Sequence, residues 1–326
     1  MYDWGNSDRK IHTKPIPNIG GIALFSGFWI TTAVFVKLNQ VQGEFVHYLW
    51  GLFYGSTLLF LTGLIDDRRP LSPIIKLGIH IVSALCLIAA GVGITFTQNP
   101  LGGIITLDSI KIPLSLFHHM YSITLWADLF ALIWIVTNIN VMNFLDGLDG
   151  LAAGTSCIAF VVIAIISFTP AVNQPLSGYL ALIGAGTSMG FLFLNINPAK
   201  LFMGDSGSQV LGFLLGSIAI ISGAKIATAL LVFGLPIFDT FWVIGFRLTH
   251  GKKPWVAGRD HLHHKLLDLG YSQREIVFGY WGITMLFGIT ALLSSTQMKL
   301  YVLTAIVLGL IQVVGSIERK IKYKKD

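Results

Sequence analysis

Residues 122–154 read SITLWADLFALIWIVTNINVMNFLDGLDGLAAG, an apolar run that ends in asparagines, aspartates and glycines. A helix needs roughly 20 mostly apolar residues to cross about 30 Å of hydrocarbon, and residues 122–142 meet this requirement. The polar end of the run places carboxylates and amides where such a helix would leave the membrane. This stretch therefore predicts a membrane helix with chemically active groups at its end.

The same pattern recurs along the chain, which has 326 residues, 54% of them hydrophobic and 12% charged. An average soluble domain carries about 25% charged residues, so a soluble globular enzyme, a disordered chain and a nucleic-acid-binding module are excluded. Long apolar stretches also favour helices over a β-barrel, whose strands alternate over about ten residues. We predict one all-α, polytopic membrane domain over residues 1–326. Its ten helices are expected at residues 19–37, 46–65, 75–97, 122–142, 151–169, 176–194, 207–223, 225–246, 276–295 and 300–317.

The charged residues sort to one face of these spans. This face holds both termini, the loops after the even-numbered spans, most of the 16 acidic residues, and all of the 22 basic residues except Lys37, Lys111, Lys225 and Lys299. Because basic loops stay in the cytoplasm, it is predicted to be the cytoplasmic face of a cell (inner or plasma) membrane. It includes an N-terminal segment (1–18), a histidine-containing loop (247–275) and a basic tail (318–326).

The loop after the second span, GLIDDRRPLSPIIK, contains the adjacent pair Asp66 and Asp67. Neighbouring side chains on a helix diverge by about 100°, so the two carboxylates can serve different partners. Arg68, Arg69 and Lys76 would keep them ionised and could also bind phosphate oxygens. The alternative is a solvated loop whose charges neutralise one another.

At the end of the fourth span, Asn143, Asp146 and Asp149 recur every three residues, which predicts that they share one helical face. A stripe of carboxylates and an amide at a membrane helix is costly unless a ligand, a metal ion or water satisfies it. The alternative is a helix end with Asx-turn caps.

The loop after the sixth span, FLFLNINPAKLFMGDSGSQVLGF, contains Asn195 and, further on, Asp205 between a glycine and a serine. Asp205 stands at the start of the seventh span, where it could coordinate a metal ion while nearby N–H groups bind an oxyanion. The alternative is that Asp205 or Ser206 is an N-terminal cap of that helix.

The loop after the eighth span contains RDHLHHK, which places Arg259 beside three imidazoles, those of His261, His263 and His264. Imidazole suits zinc, but neither a cysteine nor an HExxH spacing accompanies the three rings. The basic residues on both sides of the rings favour contact with a diphosphate.

The four loops follow even-numbered spans, so they meet on one membrane face. Together they predict a Mg²⁺ and phosphate site, because phosphoryl transfer mainly requires positioning and neutralisation of the developing charge. An ion-coupled transporter is the alternative from another class. It draws on Asp128 and Asp239 inside spans, where a carboxylate costs about 2.5–3.5 kcal/mol, unless they form hydrogen bonds within the bundle or lie near span ends.

With RKIH at residues 9–12 and PNIGG at 17–21 before these motifs, nearly the whole chain resembles the polyprenyl-phosphate N-acetylhexosamine-1-phosphate transferases (glycosyltransferase family 4). The resemblance implies that a UDP-N-acetylhexosamine and undecaprenyl phosphate give undecaprenyl-diphosphate-sugar and UMP. This would be the first lipid-linked step of cell-envelope polysaccharide synthesis. The resemblance implies Mg²⁺ as cofactor, with Mn²⁺ as a substitute, a lipid bilayer as surroundings and no nucleic acid. It also admits a homodimer.

By motif, the resemblance assigns roles to residues of this chain. Asp66 and Asp67 match the family's aspartate pair, and Asp66 would deprotonate or orient the lipid phosphate, or act covalently. Asp205 would be catalytic as the Mg²⁺ ligand, and His263 and His264 match the first two histidines of a catalytic motif. The implied substrate-binding residues are Lys76 for phosphate, Asn143 and Asp146 for the nucleotide, Asp149 and Asn195 near the uracil, and Arg259 and His261 in the histidine loop.

The chain departs from the family's pattern in two places. Lys265 follows His264, whereas the phospho-MurNAc-pentapeptide translocases carry three consecutive histidines. The form here resembles the GlcNAc-1-phosphate branch, which implies UDP-GlcNAc as donor and leaves the pentapeptide transferase as the alternative. Members also usually carry another membrane helix before the RKxH segment, so we expect either a truncated start or a protein that lacks this helix. A CDP-alcohol phosphotransferase is excluded, because the pattern of that class requires Ala-Arg two residues after an Asp-Gly pair. The segment DGLDGLAAG has no arginine.

Overall fold

The computed structural model describes residues 2–3, 15–98, 103–116, 119–223, 226–253 and 258–325, so the RKIH segment lies outside the described residues. The helices in these ranges are α1 (Gly20–Leu38), α2 (Glu44–Asp66), α3 (Pro73–Ala89), α4 (Leu125–Leu145), α5 (Leu151–Ser167), α6 (Pro175–Asn195), α7 (Gly204–Ile221), α8 (Ile226–Val232), α9 (Gly234–Thr249), α10 (Leu262–Leu269), α11 (Gln273–Leu293) and α12 (Thr296–Lys325).

The all-α polytopic membrane fold is confirmed. Among the described residues, seven helices are long and apolar enough to cross a membrane, namely α1, α2, α4, α6, α7, α11 and most of α12. Two shorter apolar helices, α3 and α5, have 17 residues each, which corresponds to about 25 Å at 1.5 Å per residue. Each of the ten predicted stretches therefore overlaps at least one helix of the protein.

The prediction of the eighth span as one helix is wrong. The segment is divided into α8 and α9, with Phe233 between them. Pro236 lies in the first turn of α9 and has no backbone N–H, so it cannot continue the hydrogen-bond ladder of α8. The third span is also shorter than predicted, because α3 ends at Ala89 and Gly91 follows with φ +92°.

Short strands occupy the segment between α3 and α4, which the sequence did not predict. Strands β3 (Phe96–Gln98) and β4 (Ile104–Thr106) pair antiparallel, as do β5 (Lys111–Leu116) and β6 (His119–Thr124). Near the N-terminus, β1 (Tyr2–Asp3) pairs with β2 (Ile16–Pro17). The hairpins follow the end of α3 and precede the start of α4, so they lie at the end of the bundle away from the predicted site.

Helix α7 forms the centre of the bundle. In the membrane-spanning part of α7, 78% of the residues are buried, whereas in that of α12 only 11% are buried. Glycines let neighbouring backbones approach α7 closely, as small residues do in membrane helices. A Cβ atom on Gly63 of α2 would lie 2.4 Å from Cα of Ser206, and a Cβ atom on Gly21 of α1 would lie 2.3 Å from the Ser206 hydroxyl oxygen. Because these glycines have no side chain, the end of α2 can pack directly against the start of α7.

Candidate active site

A lysine joins two carboxylates where three helices meet. Asp66 is the last residue of α2, Lys76 lies in the first turn of α3, and Asp205 lies in the first turn of α7. Lys76 Nζ forms an ion pair with Oδ2 of Asp66 and lies 2.7 Å from Oδ2 of Asp205. Two loops of the predicted site therefore meet at one cation, although Lys76 and Asp205 are 129 positions apart.

The adjacent aspartates face different partners, as their predicted divergence requires. Asp66 is buried, and its Oδ1 also accepts a hydrogen bond from the backbone N–H of Leu71 (2.6 Å). Asp67 instead faces the start of α7. It accepts hydrogen bonds from the backbone N–H groups of Asp205 (2.8 Å) and Ser206 (3.3 Å) and from the Ser206 hydroxyl (2.8 Å).

Asp67 thus caps a helix that follows it by more than 130 residues. The cap position of α7 is Met203, which makes no capping hydrogen bond with its side chain, so the alternative in which Asp205 or Ser206 caps this helix is wrong. A negative charge is favourable at a helix N-terminus. Burial raises the pKa of Asp67, the neighbouring Asp205 charge raises it further, and the hydrogen bond from Ser206 opposes both.

Asn143 at the end of α4 completes the group around Asp205. Its Nδ2 donates to Oδ1 of Asp205 (3.1 Å) and to the hydroxyl of Ser208 (3.0 Å). We call Asp66, Lys76, Asn143 and Asp205 the carboxylate–lysine cluster. Four helices therefore each contribute one polar side chain to a single point at their ends on the same face.

The prediction that Asn143, Asp146 and Asp149 share one helical face is wrong. Helix α4 ends at Leu145, and Asp146 already has the non-helical angles φ −77° and ψ 43°. Gly150 follows with φ +82°, a conformation that glycine adopts without strain. The two Asp-Gly pairs therefore form a turn between α4 and α5 instead of extending the helix, so the three side chains do not line one helical face.

Asp149 and Asn195 hold two turns together. Asp149 Oδ2 accepts hydrogen bonds from the Asn197 side chain (2.9 Å) and from the Ala199 backbone (3.0 Å), both between α6 and α7. The Asn195 side chain, which is buried, accepts one from the backbone of Gly150 (2.9 Å) and donates one within its own loop. These contacts keep the α4–α5 turn beside the start of α7. The contact of Asp149 and Asn195 with uracil stays a prediction.

Asp146 differs from the other carboxylates because it forms no hydrogen bond or ion pair within the described ranges. Burial raises its pKa well above the usual range, and the nearby charges of Asp205, Asp67 and Asp149 add to this effect. A carboxyl group without a partner, facing other carboxylates, is stabilised by a cation or by a proton. The turn after α4 thus extends the acidic side of the carboxylate–lysine cluster.

The oxygen atoms of this region suit Mg²⁺. This ion usually binds one or two carboxylates together with substrate phosphates and waters. In the part of the chain that the structure describes, no group of three His, Cys, Asp or Glu side chains is arranged to hold a metal ion, so a zinc site within the histidine cluster is not favoured. Asp66 and Asp205 already converge on one ammonium group, and this geometry fits a cation shared between the protein and a phosphorylated substrate.

The histidine loop contacts the turn after α4. The ring centroid of His261 lies 5.7 Å from that of His263, with the rings nearly parallel, and 5.3 Å from that of Phe144. His263 is 1% exposed, and its Nε2 would lie 2.5 Å from a Cβ atom on Gly147. The absence of a side chain at Gly147 is therefore what admits the His263 ring.

The two histidines at the start of α10 are buried and uncharged at neutral pH. Burial lowers the pKa of His263 well below its usual range, and the His264 and His261 rings lower it further. Burial also lowers the pKa of His264 to about 4, with smaller contributions from Arg259 and the His261 ring. Among the described residues, both ring nitrogens of His263 and Nδ1 of His264 have no hydrogen-bond partner. Unpaired ring nitrogens beside an acidic turn are suited to bind a polar ligand.

Two ion pairs connect α10 with its neighbours in the structure. Arg259 Nη2 lies 2.9 Å from Oδ1 of Asp268, so the loop is tied back to the helix that follows it. Lys265 Nζ lies 2.5 Å from Oε1 of Glu318 and thus joins α10 to α12. The Lys265 that distinguishes this chain from a triple-histidine motif therefore points to α12. The proposed contact of Arg259 with substrate stays a prediction.

Asp239 supports the histidine loop, which the sequence alone does not indicate. It lies in α9 and is 6% exposed. Its Oδ2 is 2.9 Å from Nδ1 of His261, and its Oδ1 accepts a hydrogen bond from the backbone N–H of Leu262 (2.8 Å). The sequence signal that could have pointed to this role of Asp239 is a carboxylate within an apolar span.

Asp128, the other carboxylate within a predicted span, also has a local partner, because its Oδ2 accepts a hydrogen bond from the Thr124 N–H (2.8 Å). Since both carboxylates form hydrogen bonds within the protein, neither supports a transporter.

Replacing Asp239 by leucine is expected to lower stability by about 1–3 kcal/mol, because a buried N–H group and a buried imidazole lose their acceptors. Turnover should fall as well, since α10 begins at this contact. Asp239→Asn keeps an oxygen acceptor for Leu262 and should lose less. Thermal unfolding of the detergent-solubilised protein measures the first effect, and product formation measures the second. Wild-type stability of Asp239→Leu would contradict this prediction.

Comparison with known proteins identifies the family of this chain. A family model described as Glycosyl transferase family 4 matches residues 49–223, which include the carboxylate–lysine cluster. A probable undecaprenyl-phosphate N-acetylglucosaminyl 1-phosphate transferase of Bacillus subtilis is 28% identical over 328 residues, covering 97% of this chain and 85% of the relative.

Two further relatives show the breadth of the similarity. The decaprenyl-phosphate N-acetylglucosaminephosphotransferase of Mycolicibacterium smegmatis is 31% identical over 304 residues, or 83% of this chain and 70% of the relative. The phospho-N-acetylmuramoyl-pentapeptide-transferase of Staphylococcus carnosus is 28% identical over 288 residues, or 85% of this chain and 84% of the relative.

Proposed function

Because the chain belongs to glycosyl transferase family 4, we propose that it transfers GlcNAc-1-phosphate from UDP-GlcNAc to undecaprenyl phosphate and releases UMP. The names of the relatives support a polyprenyl phosphate as acceptor. The His-Leu-His-His-Lys sequence supports GlcNAc over MurNAc-pentapeptide in the donor. The observation that carries the proposal is the carboxylate–lysine cluster, in which four helix ends present two acids, a base and an amide to one point.

The reaction exchanges one phosphoanhydride partner for another. An oxygen of the lipid phosphate attacks the β-phosphorus of the UDP-sugar and forms a new P–O bond. The bond from that phosphorus to the bridging oxygen breaks, and UMP leaves with the electron pair. Asp66 accepts the proton of the lipid phosphate or orients this group, and it forms an ion pair with Lys76 beside that position.

The remaining groups bind and neutralise phosphate. Lys76 can donate its protons to phosphate oxygens while it stays close to both carboxylates. The uncharged rings of His263 and His264 can each donate one N–H hydrogen bond to an oxygen of the diphosphate. Asp205 would hold Mg²⁺, or Mn²⁺ in its place, and Asn143 orients the Asp205 carboxylate. When bound, the ion supplies positive charge that stabilises the phosphate oxygens in the transition state.

The proposed membrane sidedness follows from charge. Arg68 and Arg69 are exposed beside the aspartate pair, and the histidine loop and the end of α12 add further basic residues to the same face. Because positively charged segments are retained in the cytoplasm, we place the carboxylate–lysine cluster on the cytoplasmic face. Water-soluble UDP-sugar then reaches the helix ends from the cytoplasm, while the lipid phosphate arrives within the membrane.

The purified protein in detergent is expected to release UMP from UDP-GlcNAc only when both undecaprenyl phosphate and Mg²⁺ are present. Reactions without lipid, without UDP-GlcNAc or with excess EDTA are the controls, and re-addition of Mg²⁺ or Mn²⁺ should restore the EDTA-treated enzyme. A matched series with UDP-GalNAc and UDP-MurNAc-pentapeptide tests the donor. Turnover with the pentapeptide donor alone would overturn the GlcNAc assignment, and no turnover with any of the three would overturn the transferase itself.

A further inference from the structure

Three residues of the carboxylate–lysine cluster each have a polar residue one helical turn deeper in the membrane. The pairs are Lys76 and His80 on α3, Asn143 and Asn140 on α4, and Asp205 and Gln209 on α7. Helices α3 and α7 begin at the site, whereas α4 ends there, so His80, Asn140 and Gln209 all lie on its membrane side. We call these three residues the polar layer.

The hydrogen bonds of Asn140 define the protonation of His80. Asn140 Nδ2 donates to the carbonyl oxygen of Val136 (2.7 Å), and it lies 3.2 Å from Nδ1 of His80. An amide nitrogen only donates, so Nδ1 accepts, and the proton of the neutral imidazole is on Nε2. Buried within α3 at 3% exposure, His80 therefore presents one N–H donor to its surroundings.

The hydrogen bond of Gln209 is directed in the complementary way. Its Nε2 donates to Oδ2 of Asp205 (3.3 Å), which leaves its Oε1 as an acceptor. Within the described residues, His80 Nε2 is buried without a hydrogen-bond partner, and the Gln209 side chain lies close enough to influence the electrostatics of the ring. A direct contact, or one bridging water, would complete a chain in which every donor meets an acceptor.

We propose that His80 is a positioning residue, which acts through Gln209 to hold the Asp205 carboxylate in its working orientation. The proposed hydrogen-bond network runs from Asn140 to His80, from His80 to Gln209, and from Gln209 to Asp205. A buried polar network that is fully satisfied makes its members rigid. Asp205 must keep its place when Lys76 also donates to a substrate phosphate, and Gln209 donates to the same carboxylate oxygen as Lys76, from the membrane side. This inference rests on the role proposed for Asp205.

Three substitutions of His80 separate hydrogen bonding from packing. Glutamine places an amide nitrogen near the position of Nε2, asparagine places its polar atoms near that of Nδ1, and leucine has no polar atom. His80→Leu and His80→Asn are expected to lower kcat by about 10- to 100-fold, the usual effect of removing a partner behind a metal ligand. KM for the lipid acceptor should stay unchanged. His80→Gln should retain most of the activity, and its failure to do so would overturn the proposal.

A binding readout makes the test independent of turnover. Mg²⁺ added without substrates is expected to raise the Tm of the wild-type protein, and His80→Leu should need about 10-fold more Mg²⁺ for the same rise. A merely structural histidine would lower Tm equally with and without Mg²⁺, and that outcome would overturn the proposal. If wild type shows no rise, the metal role of Asp205 fails, and the kcat pattern of the three His80 variants decides the inference.

Gln209→Met, a change of similar volume, supplies a second variant in case His80→Leu does not fold. It should reproduce the loss of kcat. The double variant should be no worse than either single one, because both remove the same chain. Ser83→Ala is the matched control, since Ser83 is buried on α3 and its hydroxyl has no partner within the described ranges. Additive losses, or a loss in Ser83→Ala as large as in His80→Leu, would overturn the proposal.

Discussion

Asp205→Asn is expected to lower kcat by about 10²–10³-fold, the usual effect of removing one group that stabilises charge in a transition state. Asn143 Nδ2, Lys76 Nζ and Gln209 Nε2 all donate to this carboxylate. The substitution removes its negative charge and places an amide nitrogen against one or more of those donors. It also removes the Mg²⁺ ligand that we propose. UMP release at saturating substrates measures the effect, and raising the Mg²⁺ concentration should recover only part of the loss.

Asp108→Asn is a matched control for this variant. Asp108 pairs with Lys111 at 3.4 Å near the hairpins, at the other end of the bundle, and exposed pairs of this kind contribute at most about 1 kcal/mol. Its turnover and Tm should equal those of wild type. A well-folded Asp205→Asn enzyme with near-wild-type kcat would remove Asp205 from the catalytic site.

Asp66→Asn is expected to lower kcat by about 10²–10⁴-fold, the range that general acid–base catalysis contributes. The asparagine oxygen can still accept the hydrogen bond from the Leu71 backbone, so the end of α2 should keep its structure. What disappears is the anion that faces Lys76 and the lipid phosphate. The Tm should therefore change little while turnover falls. Unaltered kcat in a variant with wild-type Tm would disprove the assigned role.

An exchange reaction decides between the two roles of Asp66. A covalent mechanism transfers GlcNAc-1-phosphate to the Asp66 carboxylate and releases UMP, so labelled UMP would enter UDP-GlcNAc without any lipid. Direct attack by the lipid phosphate allows no such exchange until acceptor or product is present. Asp66→Asn should abolish exchange in the first case. Exchange by the wild-type enzyme therefore decides whether Asp66 acts as a nucleophile or as a base, and Asp66→Asn is the negative control.

The membrane-spanning helices and the polar residues at their ends could be predicted because they depend on local properties. The free energy of transferring a helix into hydrocarbon is a sum over about 20 contiguous residues, so it can be judged from the sequence. The eighth span failed because its average hydropathy hides the interruption before Pro236. The stripe Asn143, Asp146 and Asp149 failed because the Asp-Gly pairs form a turn, and a three-residue spacing carries no information about where a helix stops.

The candidate site could be predicted as a set of residues, but not as an arrangement of atoms. Asp66 and Asp67 were correctly expected to diverge, yet nothing in their neighbourhood indicated that Asp67 caps α7. The role of Asp239 depends on His261, 22 positions further along the chain. The donor directions of Asn140, His80 and Gln209 appear only when α3, α4 and α7 stand side by side.

The sequence by itself determined that this protein crosses a membrane many times and carries acids, amides and imidazoles at the helix ends of one face. It could do so because hydrophobicity and the alternation of loops are properties of contiguous residues. Only the tertiary structure decided which carboxylate meets Lys76, which one holds α7, and which side chains support Asp205 from the membrane side. Those contacts join residues up to 139 positions apart, and their geometry depends on helix packing, which no local pattern encodes.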